Sequence, residues 1–464
     1  MKRALLALSM VGAGVGCGGL LGVDFSDARP ATTSDGGPAT NEDGSAEGAP
    51  AVGPDGGAAC SGVQVECLAA DGSIACCAPA AELGTPIVLA AGGHETCAIT
   101  STGALACWGA NERGQLGAGA AANAAGSSLP VRVRRIPGGA EQVSVGGAHV
   151  CAVVRALGDG PAVLACWGSN SDGQLGNGTQ LDAPLPIVVK VPRSIEVVGA
   201  GAKTTCASLG GRAYCWGAND QLQAGSATDS VILAPRLVAG LAALDADSVT
   251  KKRHVIVPSD KHTCAALDDT TSVCWGDNAH ARLGQPTPAR TASAVDLPGF
   301  TGDDLAIGES HGCELGPTFV PFGSDAGPPV GETVFCWGSN ELGQIGDGHP
   351  AGDESQEILT INGMKGGVTS LCAGANHTCA VQNGNVYCWG KDDLGQCGSI
   401  TPSRIPAKVD GLDGLVAWQV ACGATHTCAL FEGGTVKCWG SNEFGERGDG
   451  TNSAAASTPR DVIW

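Results

Sequence analysis

The sequence predicts an all-β, seven-bladed β-propeller over residues 84–464, and three observations carry that prediction. The tripeptide Cys-Trp-Gly recurs seven times, starting at Cys107, Cys166, Cys215, Cys274, Cys336, Cys388 and Cys438, at spacings of 49 to 62 residues. A second cysteine precedes each one, at Cys97, Cys151, Cys206, Cys264, Cys313, Cys379 and Cys428. Short apolar segments such as QVSVGG and WQVACG lie before that cysteine, so each unit offers three or four short strands between turn residues. Short strands repeated evenly at this period suggest a radial propeller.

Composition agrees. Glycine supplies 73 of 464 residues, against seven Phe and two Tyr. Such a chain suits closely packed sheets and tight turns; in a helix each glycine costs about 1 kcal/mol. The net charge of -20 repels nucleic acid and anionic lipid and supplies no phosphate-neutralising face.

The twenty-two cysteines call for metal or for oxidation. Structural zinc cysteines come in pairs two to four residues apart, whereas the members of each pair here are 9 to 23 residues apart. A cross-strand disulfide accounts for them better. In the sixth unit Asn383-Gly384 is a strong type I′ hairpin signal. Counting outward from it, Gln382 faces Asn385, Val381 faces Val386, Ala380 faces Tyr387, and Cys379 faces Cys388. The same count around Gly210-Gly211 sets Cys206 against Cys215, and the first, fourth and seventh units add one turn residue symmetrically. Each unit is therefore expected to carry its own crosslink. The segment 60–83 is expected to form a small disulfide-linked knot, with Cys67 and Cys76 symmetric about Asp71-Gly72 and Cys60 left to pair with Cys77. Cys372, Cys397 and Cys422 remain. Three is odd, so one is expected to be free or joined to another chain; Cys397 occupies an apolar position and reads as a buried thiol.

Each Cys-Trp-Gly continues into a glycine-punctuated tail: WGANERGQLG, WGSNSDGQLG, WGANDQLQAG, WGDNAHARLG, WGSNELGQIG, WGKDDLGQCG and WGSNEFGERG. Before the first cysteine of each pair stands Gly-x-x-His-Thr or a variant of it. These motifs resemble the RCC1 (regulator of chromosome condensation) repeat, over nearly all of the chain beyond residue 84. The resemblance implies four-stranded blades closed into a ring, often by sharing strands between the chain ends. PIVLAAGG at the start of the first unit and TPRDVIW at the end of the last look like such complementary halves. The units drift: Thr204 and Glu95 stand at the histidine position of units three and one, and Ala281-Arg282 replaces Gly-Gln in unit four.

The N-terminus carries a different message. Lys2 and Arg3 precede the apolar run Ala4 to Val15 and then Gly16-Cys17, so residues 1–17 read as a signal peptide ending in a lipobox-like cysteine, lipidated at Cys17. Residues 18–59 lack large apolar side chains and read as a disordered linker. Together with the cysteines this predicts an exported, cysteine-rich bacterial lipoprotein, membrane-anchored at the periplasm or cell surface.

Candidate chemistry is sparse. His149, His262, His311, His377 and His426 hold equivalent positions; a metal on the axis is conceivable, but a hydrogen bond tying strand to loop is the simpler reading. Trp108, Trp167, Trp216, Trp275, Trp337, Trp389 and Trp439 resemble a sugar-stacking stripe, yet inter-blade packing suits them better. No nucleophile elbow, metalloprotease helix, phosphate loop or dinucleotide fingerprint stands out, and no cofactor or metal is expected. Two irregular segments are candidate partner-binding edges: Phe319 and Phe322 in the insertion between Cys313 and Cys336, and Lys251, Lys252 and Arg253 before the fourth unit. The expected function is a non-enzymatic binding or scaffold protein recognising an undefined protein or surface ligand, without nucleic acid, and touching membrane through its lipid alone. Guanine nucleotide exchange on a small GTPase, which the resemblance implies, and a polysaccharide lyase or hydrolase are the alternatives.

Overall fold

A computed structural model describes residues 65–68, 73–77, 83–119, 125–136, 139–155, 161–238, 241, 255–266, 272–286, 288–297, 304–317, 332–350, 355–399 and 402–464. The fold is the expected one: seven four-stranded antiparallel sheets, one per repeat, arranged as the blades of a propeller. The blades span 86–132, 140–189, 195–237, 255–297, 304–365, 368–408 and 417–461. Blade six shows the plan, running Val368–Ala373, His377–Gln382, Asn385–Gly390 and Ser403–Lys408 as a simple meander. The first strand lies on the axis and the fourth at the rim.

Local chemistry sets the register. Asn383 takes the left-handed backbone (φ 51) that a type I′ turn requires, and Gly384 follows at φ 75. Gln382 then pairs Asn385, and counting outward Cys379 falls opposite Cys388. The second and third strands of every blade meet this way, so all fourteen blade cysteines stand in directly opposed pairs. The burial pattern separates inner from outer strands. Second strands such as His377–Gln382 are buried throughout, whereas the outer strand Ser403–Lys408 is not buried at any position. Small residues let neighbouring sheets approach: Ala207, Ala265, Ala380 and Ala429 are all fully buried.

Two expectations fail here. The ring does not close by a strand shared between chain ends. Ala456–Asp461 pairs with Val436–Gly440 and completes blade seven, while Ser127–Arg132 already fills the outer place of blade one. Each repeat carries all four of its strands, so closure is a contact between faces. The Gln419 amide bridges it, donating to the Leu89 carbonyl at 2.8 Å and accepting from the Leu89 N–H at 2.9 Å. Ala424 N–H donates to the Gly93 carbonyl at 2.9 Å, and Trp464 meets Trp108 edge-on, ring centroids 5.7 Å apart.

The second failure is in the N-terminal hairpin Val65–Leu68 and Ile74–Cys77. Its register sets Cys67 opposite Ala75 and Cys76 opposite Glu66. Five residues separate Leu68 from Ile74, so the pair is centred on Asp71 and the two cysteines are staggered by one place. Cys17, Cys60, and the proposed signal and linker lie outside the described residues.

Candidate functional site

Every blade junction is locked by one repeated device. The tryptophan after each second cysteine is fully buried, and its Nε1–H donates across the junction to a backbone carbonyl in the preceding blade's tail. Trp389 reaches Gln344 at 2.9 Å, Trp216 reaches Gln174 at 2.9 Å, and Trp108 reaches Glu446 at 2.9 Å across the closing junction. The tail ends in glycine because the indole lies against it: a Cβ on Gly346 would sit 2.5 Å from Trp389 Nε1. These rings are locked inside and offer no stacking face to a sugar.

The histidines form part of the same junctions. His149 Nε2 lies 2.8 Å from Thr205 Oγ1, and that hydroxyl donates to the Gln174 carbonyl at 2.7 Å. The hydroxyl proton being committed, the ring must carry its proton on Nε2 and donate. His311 with Thr378, His377 with Thr427 and His426 with Thr96 repeat the contact at 2.9, 2.9 and 2.7 Å. His262 departs because the next blade has Gly312 at the threonine position; its Nδ1 turns to Ser259 Oγ at 2.7 Å. Among the described residues, the groups close enough to hold a metal are the sulfurs of Cys372, Cys379 and Cys422, with no histidine among them.

Burial pushes these rings down, His149 and His377 to about 3, and His311 and His426 to about 4. An unfolded histidine titrates near 6.5. Each ring therefore contributes stability that is present above pH 6.5 and is lost as pH falls toward 4 through uptake of protons by the unfolded chain. Burial holds His262 well below its ordinary value too, so five such rings predict that unfolding at pH 5 takes up about five protons from histidine. Urea midpoints measured between pH 7.5 and 5 should fall accordingly, and a flat profile would contradict neutral burial.

Blade one is chemically distinct, because at its junction with blade two the histidine–threonine contact is missing. Glu95 replaces the histidine and is fully buried; Val150 stands at the next blade's threonine position and offers no hydroxyl. Desolvation holds the Glu95 carboxyl well above the usual carboxylate range, and the nearby Glu446 charge adds to this, against hydrogen bonds from the His94 N–H and the Gln115 amide. Burial also works against the charge on Glu446, but the His94 ring, 3.1 Å away, and the Phe444 N–H help hold its carboxyl below the ordinary value. A raised carboxyl weakens the fold as pH climbs through its folded value. Glu95→Gln is therefore expected to raise stability at pH 7 and to change nothing below pH 4.5.

On the axis, the turns between first and second strands surround an open cavity of about 300 Å³, lined mainly by glycine and alanine, with apolar residues such as Val257 and Ile307 and with Ser259, Asp260, Glu309 and Cys422. Sequence reasoning missed it, since its walls are turn backbone from all seven blades. It also missed Trp418, which stands half exposed at a bulge on the first strand of blade seven.

The structure joins Cys97 to Cys107, Cys151 to Cys166, Cys206 to Cys215, Cys264 to Cys274, Cys313 to Cys336, Cys379 to Cys388 and Cys428 to Cys438, with Cα atoms 4.0 to 4.1 Å apart. Cys372 is joined to Cys422 across the junction of blades six and seven. Cys397 is a free, buried thiol, and burial pushes it well above its ordinary range, with Asp392 adding to the effect. Lys251, Lys252, Arg253, Phe319 and Phe322 lie outside the described residues.

Two models of the regulator of chromosome condensation (RCC1) repeat match the chain, one over 102–153, 166–208, 332–381 and 383–430, the other over 88–115, 368–396 and 419–446. Human E3 ubiquitin-protein ligase HERC2 is 28% identical over 358 residues, 74% of this chain but only 7% of that protein. A bovine secretion-regulating guanine nucleotide exchange factor is 26% identical over 73% of this chain and 74% of its own. Among solved structures, Prp20p of Saccharomyces cerevisiae, described with its binding to Gsp1p and histones, superposes with a TM-score of 0.61 at 19% identity, covering 82% of this chain and 87% of that one. Human WBSCR16 gives 0.60 at 18%, covering 77% and 94%.

These relatives overturn the reading of an exported bacterial lipoprotein and of a non-enzymatic surface scaffold with an undefined ligand. The sequence relatives come from human, mouse, cow and Arabidopsis, and their names are those of ubiquitin ligases, an exchange factor and an ultraviolet-B receptor. Prp20p, for its part, has protein partners with names. Among the described residues no helix is long and apolar enough to cross a membrane. The fold, the repeated locks and the matched repeats agree: this chain is a seven-bladed β-propeller of RCC1-like repeats.

Proposed function

We propose that the propeller docks a small GTPase and accelerates release of its guanine nucleotide. The observation that carries this reading is the match to the secretion-regulating exchange factor, which spans about three quarters of both chains. The ligase match covers 7% of HERC2 and supports no ubiquitin-transfer chemistry here.

The physical demands of exchange suit this molecule. No bond in the nucleotide is made or broken, so no nucleophile or general base need converge; the factor has only to bind the nucleotide-free GTPase more tightly than the loaded one. A rigid ring presents a preformed surface for that discrimination.

The test is release of fluorescent GDP from a panel of small GTPases on adding purified protein. At least one member is expected to lose nucleotide faster by about ten-fold and to form a complex that added GTP dissolves. No acceleration and no nucleotide-free complex across the panel would overturn the reading.

A further inference from the structure

We propose that Cys422 is a modification site for small thiols, through which the crosslink between blades six and seven is opened and its disulfide passed to Cys379. Among the described residues, Cys372–Cys422 is the one crosslink that joins two blades; its Cα atoms are 5.6 Å apart and 50 residues apart in sequence. The Sγ atoms of Cys372, Cys379 and Cys422 all lie within 4.8 Å of one another. Strand register explains the cluster: Cys372 stands opposite Cys379, which stands opposite Cys388, so three cysteines lie side by side across three strands. Cys422 reaches the same place from the next blade.

Access distinguishes this crosslink from the rest. Cys422 lines the axial cavity, where its neighbours in the wall include Gly374 and Gly423, and none of the fourteen in-blade cysteines lines it. Cys422 is buried as well, at 2% exposure against 0% for those fourteen, so its place in the cavity wall is what sets it apart. Exchange requires that an attacking thiolate reach a sulfur, and the cavity brings it to Cys422.

The chemistry balances with a small thiol as reductant. Its thiolate attacks Cys422 Sγ, forming a mixed disulfide, and the electron pair of the broken bond leaves on Cys372. The Cys372 thiolate attacks Cys379 Sγ; the Cys372–Cys379 bond forms and Cys388 departs as thiolate, taking a proton from water. A second small thiol attacks the mixed disulfide, freeing Cys422 and leaving as the external disulfide. Two thiols are oxidised, and the protein has one disulfide fewer. The remaining bond staples the first and second strands of blade six, and blades six and seven are no longer linked covalently.

The experiment treats the intact oxidised protein with graded reduced glutathione, quenches by alkylation and maps peptides. Cys372–Cys422 is expected to open at a concentration about ten-fold below that needed for Cys206–Cys215. A glutathione adduct on Cys422, a Cys372–Cys379 peptide and alkylated Cys388 should appear together. In a Cys372→Ser variant, oxidised glutathione should modify Cys422 while Cys379–Cys388 stays intact. Opening of Cys372–Cys422 only alongside Cys206–Cys215, an adduct on Cys372 instead of Cys422, or Cys388 keeping its partner after the crosslink opens would each overturn the proposal.

Discussion

Reduction of all the crosslinks is expected to unfold the propeller at 25 °C in mild denaturant. The in-blade loops close over 9 to 23 residues, and each contributes about 2.5–3.5 kcal/mol on the loop-closure model. The inter-blade bond, over 50 residues, contributes about 4 kcal/mol. Together they amount to on the order of 20 kcal/mol, more than the whole stability of an ordinary domain. Circular dichroism of oxidised protein against reduced and alkylated protein measures the difference. Equal midpoints would mean that the buried tryptophans hold the ring unaided. A single Cys215→Ser change removes one short loop and should cost only about 2–3 kcal/mol.

The largest effect from one side chain should come from Trp389→Ala. The indole is fully buried, packs against Gly346 and donates to the Gln344 carbonyl. Emptying that space costs about 3–5 kcal/mol. Trp389→Phe keeps most of the volume and drops the hydrogen bond, for about 1–2 kcal/mol. Urea midpoints give both numbers, and hydrogen exchange should place the loosening at the junction of blades five and six. A Trp389→Ala cost below about 1 kcal/mol would refute the lock as described.

Much of this was legible in the sequence because it is local. Turn chemistry at Asn383-Gly384 and strand parity alone set Cys379 against Cys388, and a repeated signal made the count reliable seven times over. The N-terminal hairpin shows the limit of that method: one residue in the turn moves the centre of symmetry from the Asp71-Gly72 bond to Asp71 and staggers the cysteines. Contacts between blades were not legible. Cys372 and Cys422 become neighbours only once blade faces dock, and the Glu95–Glu446 pairing lies 351 residues apart along the chain. The closing strand misled for a related reason: TPRDVIW is strand-like in isolation, and only the complete pairing of blade one shows that its outer place is taken. The export reading rested on composition near Cys17 and on a cysteine count, neither of which reports what the folded surface meets.

Because every blade is one unbroken stretch of chain, the ring has no privileged seam. Circular permutants that join residue 464 to residue 84 through a short linker and begin instead at another junction, such as between blades five and six, would contain the same seven sheets in the same cyclic order. Whole repeats can likewise be exchanged or duplicated as cassettes without splitting a sheet. Changes of ligand would then be acquired one blade at a time, on a wheel whose hub stays the same.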